Sequence, residues 1–77
     1  MTLDKHEIEG VASFGRTTVK ASTFEGRMKD AGYSQIGSAP GQRRRVKIWW
    51  RHDTYPLVES IYSPDKQTVI TAYHPDP

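Results

Sequence analysis

At 77 residues, with a formal net charge of +2 and no cysteine, the chain has room for one small domain (residues 1–77) and excludes disulfides, thiolate metal sites and cysteine nucleophiles. So small a domain has little interior to give to a cofactor, so none is implied and function is expected on a surface or in a shallow groove. No run approaches the roughly 20 apolar residues that span a bilayer, and the polar start Met1 to Glu7 is unlike a signal peptide, so a cytoplasmic protein with no membrane partner is expected.

Charge is unevenly placed. Residues 1–10 carry Asp4, Glu7 and Glu9 against Lys5, a net of −2, whereas residues 43–51 carry Arg43, Arg44, Arg45, Lys47 and Arg51 with no acid, a net of +5. A dense block of one sign projects a local field that near-neutrality overall conceals. It implies an acidic partner, either nucleic acid or an acidic protein surface.

Residues 1–21 are ambiguous. Leu3, Ile8, Val11, Ala12 and Phe14 suit a loose helical face, but Gly10 and Gly15 weaken it. The alternative is extended structure over 7–21, with a turn near Phe14-Gly15 and a short strand in the β-branched stretch from Thr17 to Ser22. The clearest helix is expected over about 23–31. Ser22-Thr23-Phe24-Glu25 fits a capping box, Phe24, Met28 and Ala31 share a face, and Gly32 suits a left-handed stop with Tyr33 returning to Met28. This helix mixes acids and bases and lacks the basic face of a membrane-surface helix.

Ser34 to Gln42, with Gly37, Ser38, Pro40 and Gly41, reads as a loop or a weak strand running into one. Its glycines match no phosphate-loop spacing. Arg43 to His52 is the strongest strand: Val46, Ile48 and Trp50 alternate with Arg45, Lys47, Trp49 and Arg51. Leu57 to Tyr62 and Gln67 to Tyr73 are expected to pair through a type I turn at Ser63-Pro64-Asp65-Lys66, with a loop of either four or five residues. The fold expected is α+β: one short helix packed on a three- to four-stranded antiparallel sheet. Tyr33, Val46, Ile48, Trp50, Ile61 and Val69 are expected to share its core with Phe24 and Met28.

Three functional readings follow. In the first, Arg43, Arg44, Arg45, Lys47 and Arg51 contact phosphate and Trp49 stacks on a base, with single-stranded nucleic acid or RNA favoured. Against this stands a plain solvated sheet face, its charge serving to prevent aggregation. In the second, the same surface is a regulator or inhibitor, of phage or mobile-element type, docking on an acidic protein; tryptophan and arginine are enriched in interface hot spots. The third is catalytic. His6, His52, His74, Glu59, Thr71 and Tyr73 include groups able to act as base and acid in RNA cleavage, with an arginine supplying charge. Three histidines at 6, 52 and 74 show no metal-ligand spacing, so no metal is expected. The assembly expected is a monomer, or a homodimer through an edge strand.

The ending Tyr62-Ser63-Pro64-Asp65-Lys66-Gln67-Thr68-Val69-Ile70-Thr71-Ala72-Tyr73 resembles the final hairpin of the barnase/EndoU/colicin/RelE-like nuclease superfamily. The resemblance covers about twelve residues. It implies a metal-independent RNase toxin with Thr71 and Tyr73 near the scissile phosphate; His6 is the only applicant for the family's N-terminal catalytic histidine.

Overall fold

The computed structural model describes residues 8–11 and 18–75. His6, the expected turn at Phe14-Gly15 and the beginning of the Thr17–Ser22 strand lie outside the described residues. A short strand β1 (Val19–Lys20) runs directly into helix α1 (Ala21–Asp30), followed by β2 (Ser34–Pro40), β3 (Val46–Arg51), β4 (Val58–Tyr62) and β5 (Thr68–Tyr73). All neighbours pair antiparallel in the order β1-β5-β4-β3-β2. The α+β class holds, with five strands among the described residues rather than three or four. β1 falls within the short strand expected over 17–22, and the added strand is β2, where the glycine- and proline-containing stretch read as a loop or weak strand pairs along β3. Among the described residues it pairs with β3 alone, and it has a bulge at Ile36, which is 56% exposed.

The helix begins two residues before the expected start. Lys20 pairs with Thr68, and the Ala21 amide donates to the Gln67 carbonyl at 2.9 Å, so pairing with β5 decides where the chain turns into the helix. Ser22 therefore lies inside the first turn, and no side chain caps the helix. Glu25 instead accepts from the Tyr62 hydroxyl at 2.9 Å, joining α1 to β4. The helix end follows the local signal. Gly32 is left-handed (φ 96°), its amide donates to Lys29, and that of Tyr33 donates to Met28 at 2.9 Å, the Schellman pattern.

Phe24 and Met28 from α1, Tyr33, Ile48 and Trp50 from β3, Val58 and Tyr62 from β4, and Val69 and Ala72 from β5 are buried together. Phe24 meets Trp50 and Tyr62 edge-on at 5.9 and 6.2 Å between ring centroids, the arrangement aromatic quadrupoles favour. Val46 packs at the margin. Ile61, expected in this core, is not part of it. The stretch 57–62 has two possible inward sets, and that of Leu57, Glu59 and Ile61 would bury an unpaired carboxylate. The set adopted is Val58, Ser60 and Tyr62. Ser60 accepts from the Trp50 indole at 3.1 Å and donates to the Ile48 carbonyl at 2.7 Å, satisfying the polar atom of the largest core side chain.

Residues 63–67 connect β4 to β5, a five-residue loop between these strand ends. The Ser63 amide donates to Thr68, and that of Lys66 to Ser63 at 2.9 Å. Asp65 accepts from the Ser63 hydroxyl and the Gln67 amide, and these bonds hold its carboxyl below the usual carboxylate range. Among the described residues no helix is long and apolar enough to cross a membrane.

Candidate nucleic-acid interface

With α1 on one face of the sheet, strand alternation assigns Lys47, Trp49, Glu59, Ile61, Thr71 and Tyr73 to the other. Register lines them up in two rows. Ala39, Lys47, Ile61 and Thr71 form one; Gly37, Trp49, Glu59 and Tyr73 form the next. In the second row Glu59 is the hub. Its Oε1 accepts from the Trp49 indole at 3.1 Å and its Oε2 from the Tyr73 hydroxyl. The bond to Glu59, reinforced by burial, pushes the Tyr73 phenol up to about 12. Trp49 is thus held half-buried with its nitrogen engaged, and only its ring surface is left for a partner.

The basic block divides into three parts. Arg43 and Arg44 form the exposed tip of the β2–β3 hairpin, both left-handed (φ 55° and 65°). The Arg45 amide donates to the Gln42 carbonyl at 3.0 Å, which closes the turn. Left-handed backbone at both central positions is the type I′ pattern, where Asn-Gly is strongly preferred. A non-glycine residue in that region costs about 1–2 kcal/mol. Next, Arg45 and Lys47 line a cleft of about 400 Å³ with Pro40, Gly41, Gln42 and Ile61. Last, Arg51 stands at the far end of β3, roughly 20 Å from the tip by strand rise. Its 3.8 Å contact with Asp53 is highly exposed and contributes little.

The catalytic candidates are divided: Glu59, Thr71 and Tyr73 lie on this face, whereas His52 and His74 do not. His52 Nδ1 accepts from the Thr54 and Tyr55 amides at 2.9 and 3.3 Å, leaving Nε2 to donate to the Ala31 carbonyl at 2.9 Å. The ring lies over Gly32, where a Cβ would stand 3.0 Å from Nε2, and packs on Tyr33 and Tyr55. It ties the end of α1 to the end of β3. His74 Nε2 accepts from the Glu9 amide at 3.0 Å and Nδ1 donates to the Leu57 carbonyl at 3.1 Å. By alternation both histidines belong to the helix side of the sheet, at the end away from Arg43 and Arg44. Thr71 is 7% exposed, and its buried hydroxyl has no hydrogen-bond partner among the described residues. Among the described residues no group of three or more histidines and acids is arranged to hold a metal ion.

The cleft residues Gln42, Gly41 and Ile61 and the hub Glu59 were not legible as parts of one site. The available signal was the second alternation phase of 57–62, which assigns Glu59 and Ile61 to the same face as Lys47 and Trp49. Comparison with family models, with curated proteins and with solved structures finds no match for this chain.

Proposed function

We propose that this chain is a small non-enzymatic binding module that takes nucleic acid on the hairpin tip and open sheet face of β2 to β4. In this reading Arg43, Arg44, Arg45, Lys47 and Arg51 contact phosphates and Trp49 offers a stacking surface. The observation that carries it is the Arg43-Arg44 turn. Two arginines occupy left-handed positions that asparagine and glycine would fill at lower conformational cost. Strain kept at an exposed site is accounted for when the side chains themselves are needed, and here they head a run of cations without an acid. The engagement of His52 and His74 with main-chain groups, and of Tyr73 with Glu59, favours binding over RNA cleavage.

The test is fluorescence anisotropy with labelled single-stranded RNA, single-stranded DNA and duplex DNA across a salt series. Four or five phosphate contacts on a single strand predict a log–log salt slope of about −3. The slope and the affinity should collapse in an Arg43/Arg44/Arg45→Ala variant. Absence of binding at low salt would reject the reading and turn attention to an acidic protein partner.

A further inference from the structure

The cleft beside the hairpin differs from the rest of the basic surface in being a concavity rather than a row of exposed charges. Lys47 on β3 and Arg45 just before it supply its cations, Ile61 on the neighbouring β4 is apolar, and Pro40, Gly41 and Gln42 come from the end of β2 and the turn. None of these lining residues is acidic. Glu59, the carboxylate that β4 contributes to this face, is engaged one row away by Trp49 and Tyr73. Gly41 keeps the wall thin: a Cβ there would stand 3.2 Å from the Arg45 carbonyl, a tight approach to backbone, and would touch Lys47 Cγ at 3.5 Å.

Size and charge together narrow the ligand. About 400 Å³ is within the range of small-molecule sites, and too small for more than a nucleotide or so. Two cations with no acid among the lining residues match a dianion. A phosphodiester inside a nucleic-acid strand carries one negative charge, whereas a terminal phosphomonoester carries about two near neutral pH. Arginine offers a planar fork to two phosphate oxygens and lysine a compact point charge. Ile61 provides apolar contact for a sugar or base, and the Gln42 amide can donate to and accept from a base edge.

We infer that this cleft is an end-recognition site, which seats the terminal phosphomonoester of a single-stranded nucleic acid between Arg45 and Lys47 while the strand runs on past Trp49. The inference rests on the nucleic-acid reading above and adds to it a preference for phosphorylated ends. Short single-stranded RNA oligonucleotides of one sequence, carrying a 5′-phosphate, a 3′-phosphate or only hydroxyl ends, separate the two. One phosphorylated form should bind roughly ten-fold more tightly than the hydroxyl form, as one additional charge-assisted contact allows, and which form does so identifies the end. Lys47→Ala and Lys47→Gln should abolish that preference, bringing the affinity ratio of phosphorylated to hydroxyl oligonucleotide to about one, while general binding weakens only by the one phosphate contact that Lys47 supplies. Titration of the intact chain with inorganic phosphate should shift the amide resonances of Gly41, Lys47 and Ile61. Equal affinity for all three oligonucleotides, or unmoved resonances at those positions, would overturn end recognition and leave general binding standing. No binding of any oligonucleotide would overturn both.

Discussion

The Trp49 indole donates to Glu59 across the β3–β4 pair at 3.1 Å, so the one tryptophan on the open face is oriented by the carboxylate on that face of β4. The acid both fixes the ring and reduces the local positive potential. Glu59→Gln keeps a carbonyl acceptor for the indole and removes the charge, so nucleic-acid affinity should rise a few-fold at low salt, roughly two- to five-fold. Trp49→Ala should weaken binding by about 1–3 kcal/mol with the fold intact. Unchanged affinity for Trp49→Ala in anisotropy would remove the stacking platform.

Replacing Arg43-Arg44 by Asn-Gly should separate stability from binding. The turn already has left-handed backbone at both positions, so residues suited to it should stabilise the protein by about 1 kcal/mol, the relief being offset in part by the greater freedom of glycine in the unfolded chain. Loss of two cations should lower the magnitude of the single-strand salt slope by about 1.4. Urea denaturation and anisotropy read the two effects. A variant no more stable than the parent would show that the turn is not strained.

Trp50, the neighbour of Trp49, sits on the opposite face and is fully buried. Trp50→Ala should destabilise by about 3–5 kcal/mol through the cavity it leaves. Ser60→Ala strips the indole N–H of its partner and should cost about 1–3 kcal/mol. A Trp50→Ala protein melting like the parent would contradict the assigned faces of β3.

His52 and His74 are expected to matter for stability. Each connects main-chain groups far apart in sequence; alanine should cost about 1–3 kcal/mol at His52, whose bond to Ala31 is partly buried, and about 0.5–1 kcal/mol at His74, whose bonds are exposed to water. Incubation of purified protein with an RNA ladder, without added metal, should leave the ladder intact. Cleavage that ceases in His52→Ala or His74→Ala would replace the binding reading with the RNase one.

Three phenols give the protein an alkaline limit. Burial, with the charge of Glu9, pushes Tyr33 up to about 12. The bond to Glu59 does the same for Tyr73. Burial and the bond to Glu25 push Tyr62 higher still. Each folded-state value lies above the unfolded value near 10. The associated stability is therefore fully present below about pH 10 and is lost as pH rises through 12. Urea denaturation from neutral to alkaline pH should show a plateau, then a fall above about pH 10, while tyrosinate absorbance of these three phenols in the folded protein lags behind until about pH 12. A fall completed well below pH 10 would contradict these environments.

Short-range geometry was legible before the fold. The Gly32-Tyr33 helix stop depends on residues within one turn, and the inward set of Val46, Ile48 and Trp50 is stated by strict alternation. The same alternation placed Arg45, Lys47 and Trp49 together on the other face, which is the greater part of the candidate site. The tertiary structure decided what depends on partners distant in sequence. Ser60 points inward because Trp50 needs an acceptor there, which sends Ile61 outward to the cleft. The stretch 34–40 is a strand because β3 offers it hydrogen bonds, against its own weak propensity. The helix starts at Ala21 because Lys20 is paired with Thr68, and Glu25 is taken by Tyr62 rather than by a cap. The left-handed Arg43-Arg44 turn follows from pairing β2 to β3 across so short a connection. No propensity of arginine encodes it; the twist of the two strands imposes it.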